Sequence, residues 1–402
     1  MKANKSLQYI LYLSILIYSM GGWLFEDGNL LSITSVLVWF IISLYYAFKT
    51  ISSSDVTKLD KIIFAFWILH AIYFTLSPKS VIGTSEGGGT MVYTSLNMLK
   101  LTSVCVLSYF PFSFFTKRNT LNKKLLFIFC CLLLLVYANQ FILSRNNLIN
   151  MFGTDSVVNN MAYVFVRFFP LFWLISEKKA TSLVGFMVAI YFVIIGNKRG
   201  ALLCFAFQTI VFVTYMIKQQ KQSNFKIGSV LFVLLLLGVL GYFVVETFES
   251  NYFFQQRLLS MINGEDDGSG RNEYYSNIFK KFSNGSLFDQ LFGLGYGGSI
   301  MINGNYAHND WMELLADQGI LGCSIYALLY LTIFRFYKMR RNLLTDKERR
   351  VFISAFFSIL MVSLFSMSYC SNSSSYLFMV FGILLNKQNT DVHTLQDSIR
   401  TH

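Results

Sequence analysis

One polar segment in an otherwise apolar chain carries the residue types that proton transfer needs. It reads Asn305-Tyr306-Ala307-His308-Asn309-Asp310-Trp311-Met312-Glu313, and His308 is one of four histidines in the chain. A histidine side chain exchanges a proton near neutral pH, which makes it the natural general base of the segment. The plainer role is that of a structural histidine at a helix start. Trp311, Leu314 and Leu315 recur at i, i+3 and i+4, the signature of one helix face. Asp310 with Glu313 three residues later reads as a capping box, so a helix is expected to begin beside His308. Asn309 and Asp310 could orient the imidazole or cap that helix, and Glu313 could do either.

Two basic stretches could supply the anion grip that such a base would work beside. Gly196-Asn197-Lys198-Arg199-Gly200 joins two apolar runs, and Arg199 there is a candidate anion clamp; Lys198 beside it is a supporting candidate. A snorkelling arginine at a helix end is the alternative. Gly268-Ser269-Gly270-Arg271-Asn272 offers a second arginine among glycines. Glycine lets backbone approach a ligand, and a guanidinium fork matches phosphate or carboxylate oxygens. Arg167 lies deep within an apolar run, where a cation is costly and usually functional. Lys100 and His70 are weaker cases of the same kind.

Two other patterns are set aside. Residues 263–268 mimic the first half of a calcium loop, but Tyr274 stands where the bidentate glutamate belongs. The glycine-rich stretch 292–298 lacks the strand–helix context of a nucleotide loop and reads as a flexible or close-packed backbone turn. The six cysteines lie in or beside apolar runs without metal-ligand spacing and read as small buried hydrophobes.

The elements that must hold these residues are membrane helices. The chain has 402 residues, 54% hydrophobic and 13% charged. Soluble domains average about 25% charged. Twelve apolar runs are candidate spans: 7–25, 30–48, 61–76, 91–115, 125–144, 157–176, 181–196, 201–217, 227–247, 319–336, 351–369 and 375–385, against a spanning length of about 20 residues. The first reads as a retained helix rather than a cleaved signal. Most of the 33 basic residues fall on one side of this pattern, which puts both termini in the cytoplasm. That bias also accounts for the net charge of +12 without nucleic acid as a partner. The expected architecture is all-α: a polytopic bundle of about 12 transmembrane helices with one long outer loop. It divides into an N-terminal membrane bundle (1–247, about nine helices), the loop (248–317), and C-terminal helices with a cytoplasmic tail (318–402).

Taken together, three short motifs resemble the O-antigen ligase and polymerase superfamily of bacterial envelope glycosyltransferases. They are Lys198-Arg199-Gly200-Ala201 opening a run, Ser269-Gly270-Arg271 early in the loop, and Leu291-Phe292-Gly293-Leu294-Gly295 followed by His308-Asn309, Glu313 and Gln318-Gly319-Ile320-Leu321-Gly322. The resemblance covers about residues 196–322; the first 150 residues share only the hydropathy pattern. It implies a GT-C-like helical bundle in the bacterial inner membrane and an undecaprenyl-diphosphate-linked glycan donor. It further implies a metal-independent, inverting transfer at the periplasmic face, with no cofactor. Membrane lipid is a further expected partner, from the charge bias, and a chain-length regulator protein would be another. Carried onto this chain, Arg199 and Arg271 would hold the diphosphate and His308 would assist deprotonation of the acceptor hydroxyl. Within the superfamily, the His-Asn-Asp-Trp-Met-Glu block resembles polymerases somewhat more than ligases. A lipid-linked oligosaccharide flippase is the alternative from another class. It should show related halves and midplane ionisable groups, whereas the notable residues here gather on one side.

Overall fold

The computed structural model describes residues 2–21, 29–84, 90–152, 157–221 and 271–387, with single residues at 238, 259 and 263. Nearly all of the run 227–247, most of the loop before Arg271, including nearly all of 263–268, and the tail after 387 lie outside the described residues.

The chain is mostly helical. In order come α1 (Lys2–Ser19), α2 (Leu30–Ile51), α3 (Lys58–Leu76), the strands β1 (Ser80–Thr84) and β2 (Thr90–Thr94), α4 (Ser95–Leu107), α5 (Tyr109–Lys117), α6 (Lys123–Phe152), α7 (Ala162–Ile175), α8 (Lys179–Ile195) and α9 (Arg199–Lys221). Then follow α10 (Arg271–Asn284), α11 (Leu287–Phe292), α12 (Gly298–Asn303), α13 (Asp310–Arg340), α14 (Asp346–Phe365) and α15 (Ser375–Leu384). Six stretches of described helix are long and apolar enough to cross a membrane, and three shorter apolar helices accompany them. Outward-facing positions confirm that character: Leu30 is 78% exposed and Leu135 68%. Such surfaces are stable against lipid chains, and helices satisfy their own backbone polar groups there.

The expectation of an all-α chain needs one correction. β1 and β2 pair as an antiparallel hairpin with Ser80 opposite Thr94. The fourth apolar run begins at residue 91 in the sequence, because Met91, Val92 and Tyr93 extend the hydropathy of α4. Those residues are instead the second strand, as their β-branched and aromatic character permits. The Thr84 amide extends the hairpin by donating to Gly304 O at 2.7 Å. This ties it to the end of α12.

The elements alternate so that one end of the bundle gathers the ends of α3, α6, α8 and α14 and the beginnings of α4, α7, α9 and α13. The opposite end carries the ion pairs Lys387–Glu348 (2.9 Å) and Lys218–Asp346 (3.0 Å). Between the ends the core is largely aromatic. Phe186 of α8 stacks on Phe212 of α9 at 4.6 Å, and Trp173 of α7 meets Phe212 edge-on at 5.1 Å. Offset and edge-to-face rings of this kind add to their area burial. A polar cross-brace pins α3 to α5 and to the residues just after α15. Asp60 completes a capping box with Thr57, pairs with Lys117 at 2.8 Å and accepts from Tyr109 OH at 2.9 Å. Asn386 Nδ2 in turn donates to the Tyr109 oxygen at 2.9 Å. A buried pair needs such added hydrogen bonds to offset its desolvation.

Candidate functional site

The glycine motifs of the sequence form one backbone knot. α11 ends at Gly293 (φ 71°), where any Cβ would run into the Asp317–Gln318 peptide. Leu294 N then donates to Ala316 O at 2.8 Å and Gly295 N to Asp317 O at 2.9 Å. Across the contact, Gly319 (φ 61°) kinks α13, and a Cβ there would sit 2.6 Å from Gln290 O. Only glycine combines that dihedral with that approach. Tyr73 OH donates to Phe292 O at 2.5 Å, and Tyr296 N donates to Ser77 Oγ at 2.7 Å, so the knot is seated on the end of α3.

The knot and the start of α13 together present His308. The helix does not begin with the expected capping box. Asn309 is the cap: its Oδ1 accepts from Trp311 N at 2.9 Å and Met312 N at 3.2 Å. That places Met312, not Glu313, at the third helical position, so Glu313 cannot close the box. Glu313 is buried instead and accepts from Ser299 OH and Ala307 N. Asp310 is also fully buried; it accepts from Tyr326 OH at 2.6 Å and Ser368 N at 2.7 Å. Asn309 Nδ2 reaches Leu364 O at 3.1 Å. His308 itself has φ 55°, a left-handed conformation uncommon outside glycine. Its neighbours on both sides are thus fixed while its own backbone is held strained.

A second polar segment, 366–374, faces His308 from the junction of α14 and α15. Arg167 of α7 grips it: Nη1 donates to Ser371 Oγ and Ser373 Oγ, both at 2.8 Å, and Nη2 to Met367 O at 2.8 Å. The Arg167 guanidinium also lies over the Tyr163 ring at 5.6 Å. A buried cation at this depth is stabilised here by hydroxyl and carbonyl oxygens. Arg271 opens α10 and donates from Nη1 to Phe365 O at 3.1 Å, at the C-terminal end of α14.

Between these parts lies a cavity of about 1550 Å³. Four cationic side chains line it: Lys100, Arg167, Lys198 and Arg271, together with His308. No acidic side chain among the described residues does. Tyr163 and Tyr306 also contribute to the wall. Burial pushes the Tyr306 phenol above its ordinary pKa, which keeps it a neutral hydrogen-bond donor. Tyr306 meets Tyr93 of the hairpin edge-on at 4.7 Å, so the hairpin braces the segment that bears His308. A large cationic chamber with a histidine in its wall suits an anionic substrate that gives up or receives a proton.

The structure brings His308, Arg271, Lys198 and Arg167 to one cavity. It places Arg199 at the first turn of α9, outside the lining, and Asn309, Asp310 and Glu313 in the supporting backbone. His70 is buried apart, with Nδ1 against Phe66 O at 2.9 Å. Gly200 explains the glycine of the Lys-Arg-Gly motif: a Cβ there would collide with Tyr163 and Phe365, so α9 can start against both. The segment 366–374 is hard to see in the sequence because its first four residues extend the apolar run 351–369 and the rest resembles an ordinary connection. Its signal was six serines within the ten residues 366–375 of an apolar chain.

Residues 184–327 match the family model described as O-antigen ligase. The match supports the O-antigen ligase/polymerase superfamily. No curated protein matches the chain. The matched region runs from α8 to the middle of α13 and includes Lys198, Arg271 and His308. Lys100, Arg167 and the segment 366–374 lie outside it, so the cavity is completed by parts of the chain beyond the matched region.

Proposed function

We propose that the protein polymerises oligosaccharide repeat units carried on a polyprenyl diphosphate. The observation that carries this reading is a cavity whose wall joins four cations to His308 and holds no acidic side chain among the described residues. In the proposed step an acceptor sugar hydroxyl attacks the anomeric carbon of the donor. The new C–O bond forms as the bond to the diphosphate oxygen breaks, and attack from the opposite face inverts the centre. His308 takes the hydroxyl proton. Negative charge grows on the leaving diphosphate, where Arg271 and Lys198 stabilise it without metal or cofactor. Arg167 holds 366–374 in place beside them.

In this reading the site faces the periplasm, as the cation-rich opposite end of the bundle facing the cytoplasm would require. The donor's lipid tail would explain a site at the end of a membrane bundle. The matched family's description favours a second reading, an O-antigen ligase that moves the finished glycan to the lipid A core.

The test is an envelope polysaccharide gel from cells carrying His308→Ala at equal protein level. General-base loss lowers transfer about 100-fold or more. A single repeat unit on core lipid supports the polymerase. Bare core with polymer left on the carrier supports the ligase. A normal ladder removes His308 from the chemistry and returns the flippase.

A further inference from the structure

Beside the cationic cavity lies a second cavity of about 480 Å³, and the two share a wall that includes Ser144, Leu148, Asn372 and Ser373. Its character differs. Lys, Arg, His, Asp and Glu are all absent from its lining among the described residues; its polar groups are the amides Gln140, Asn147 and Asn372 with serine and tyrosine hydroxyls. Gln140 Nε2 donates to Ser19 O and, at 2.8 Å, to Gly21 O, which fixes the orientation of its carbonyl oxygen. The seam is Ser373, which Arg167 holds from the cationic side.

From this segregation of charge the geometry points to the annex as the subsite for an uncharged, hydroxyl-rich sugar ring attached to the diphosphate, with Asn147 as a specificity-determining contact. Amides and hydroxyls each both donate and accept, which matches ring hydroxyls and an N-acetyl group. A sugar carboxylate would find no cation in the annex wall, among the described residues, to offset its desolvation. The ring would cross the seam directly from phosphates gripped by Lys198 and Arg271. This inference rests on the carrier-diphosphate reading given above.

Asn147 sits on an exposed stretch of α6, so its replacement leaves the core intact. The experiment uses the full chain in nanodiscs and two probes, undecaprenyl diphosphate and undecaprenyl diphosphate bearing one N-acetylglucosamine. For the native protein the sugar-bearing probe binds more tightly. Asn147→Leu removes the amide and Asn147→Trp fills the annex. Each is expected to weaken the sugar-bearing probe by about tenfold, the effect of losing about 1.4 kcal/mol, and to leave the bare carrier unchanged. Unchanged binding of both probes, or equal weakening of both, overturns the annex as a sugar subsite while the carrier reading stands. Failure of the native protein to bind either probe overturns the carrier reading and the annex with it.

Discussion

Arg167 and Asp310, on different helices, grip adjacent residues of one segment: Arg167 Nη2 donates to Met367 O at 2.8 Å, and Asp310 Oδ1 accepts from Ser368 N at 2.7 Å. Both side chains are buried. Burying polar groups is costly unless they are hydrogen-bonded, and here the Arg167 Nη atoms and the Asp310 carboxyl each bond the segment that forms the cavity wall.

Arg167→Ala therefore leaves a carbonyl and two hydroxyls without their donor. Each hydrogen bond to a charged group contributes about 1.5–3 kcal/mol. The expected outcome is a lower thermal midpoint in detergent and loss of polysaccharide product. Arg167→Lys keeps the charge without the planar fork and should recover part of the midpoint only. An unchanged midpoint for Arg167→Ala would show that 366–374 holds its shape without this side chain.

The strained backbone at His308 separates catalysis from folding. His308→Gly relieves φ 55°, whereas His308→Ala must still adopt it, at about 1 kcal/mol. Both variants should lose activity alike, and the glycine variant should melt higher. Equal midpoints would mean the left-handed backbone carries no strain.

Lys198 lines the cavity and Arg199 does not. Lys198→Ala is thus expected to weaken carrier-diphosphate binding about tenfold, the effect of about 1.4 kcal/mol of lost contact. Arg199→Ala should weaken it less. Direct binding in nanodiscs checks this, and a larger effect at Arg199 would return the anion grip to the residue the sequence motif favours.

Asn309→Ala removes the cap of α13 and the bond to Leu364 O together. Cap loss alone costs about 1 kcal/mol, and Asn309→Ser should restore most of it. Melting curves of the two variants decide the matter. If serine is no better than alanine, the Leu364 contact and not the cap is what counts.

Gly319→Ala meets both a positive φ and the Gln290 carbonyl. Strain of about 1–3 kcal/mol is expected from the dihedral alone. Protein level and melting temperature measure it; a variant that melts like the native chain would show that the knot can shift.

Much was legible from residue types and order. Membrane character follows from hydropathy, because the length of an apolar run is set by the bilayer and by the helix rise. His308, Arg271 and the glycine motifs stood out because polar and glycine residues are costly where they serve no purpose. The tertiary structure decided which of them share a cavity. Lys198 and Arg199 are adjacent, and the helix start braced at Gly200 against α7 and α14 sends only the first into the lining. Asn309 or Asp310 could each have capped α13; the backbone between Ala307 and Trp311 selected Asn309. The docking of the hairpin on Gly304, the shape of 366–374 held by Arg167, and the annex depend on contacts across 100 or more residues. No local pattern encodes such contacts, because their energy appears only when distant backbone and side chains are brought together.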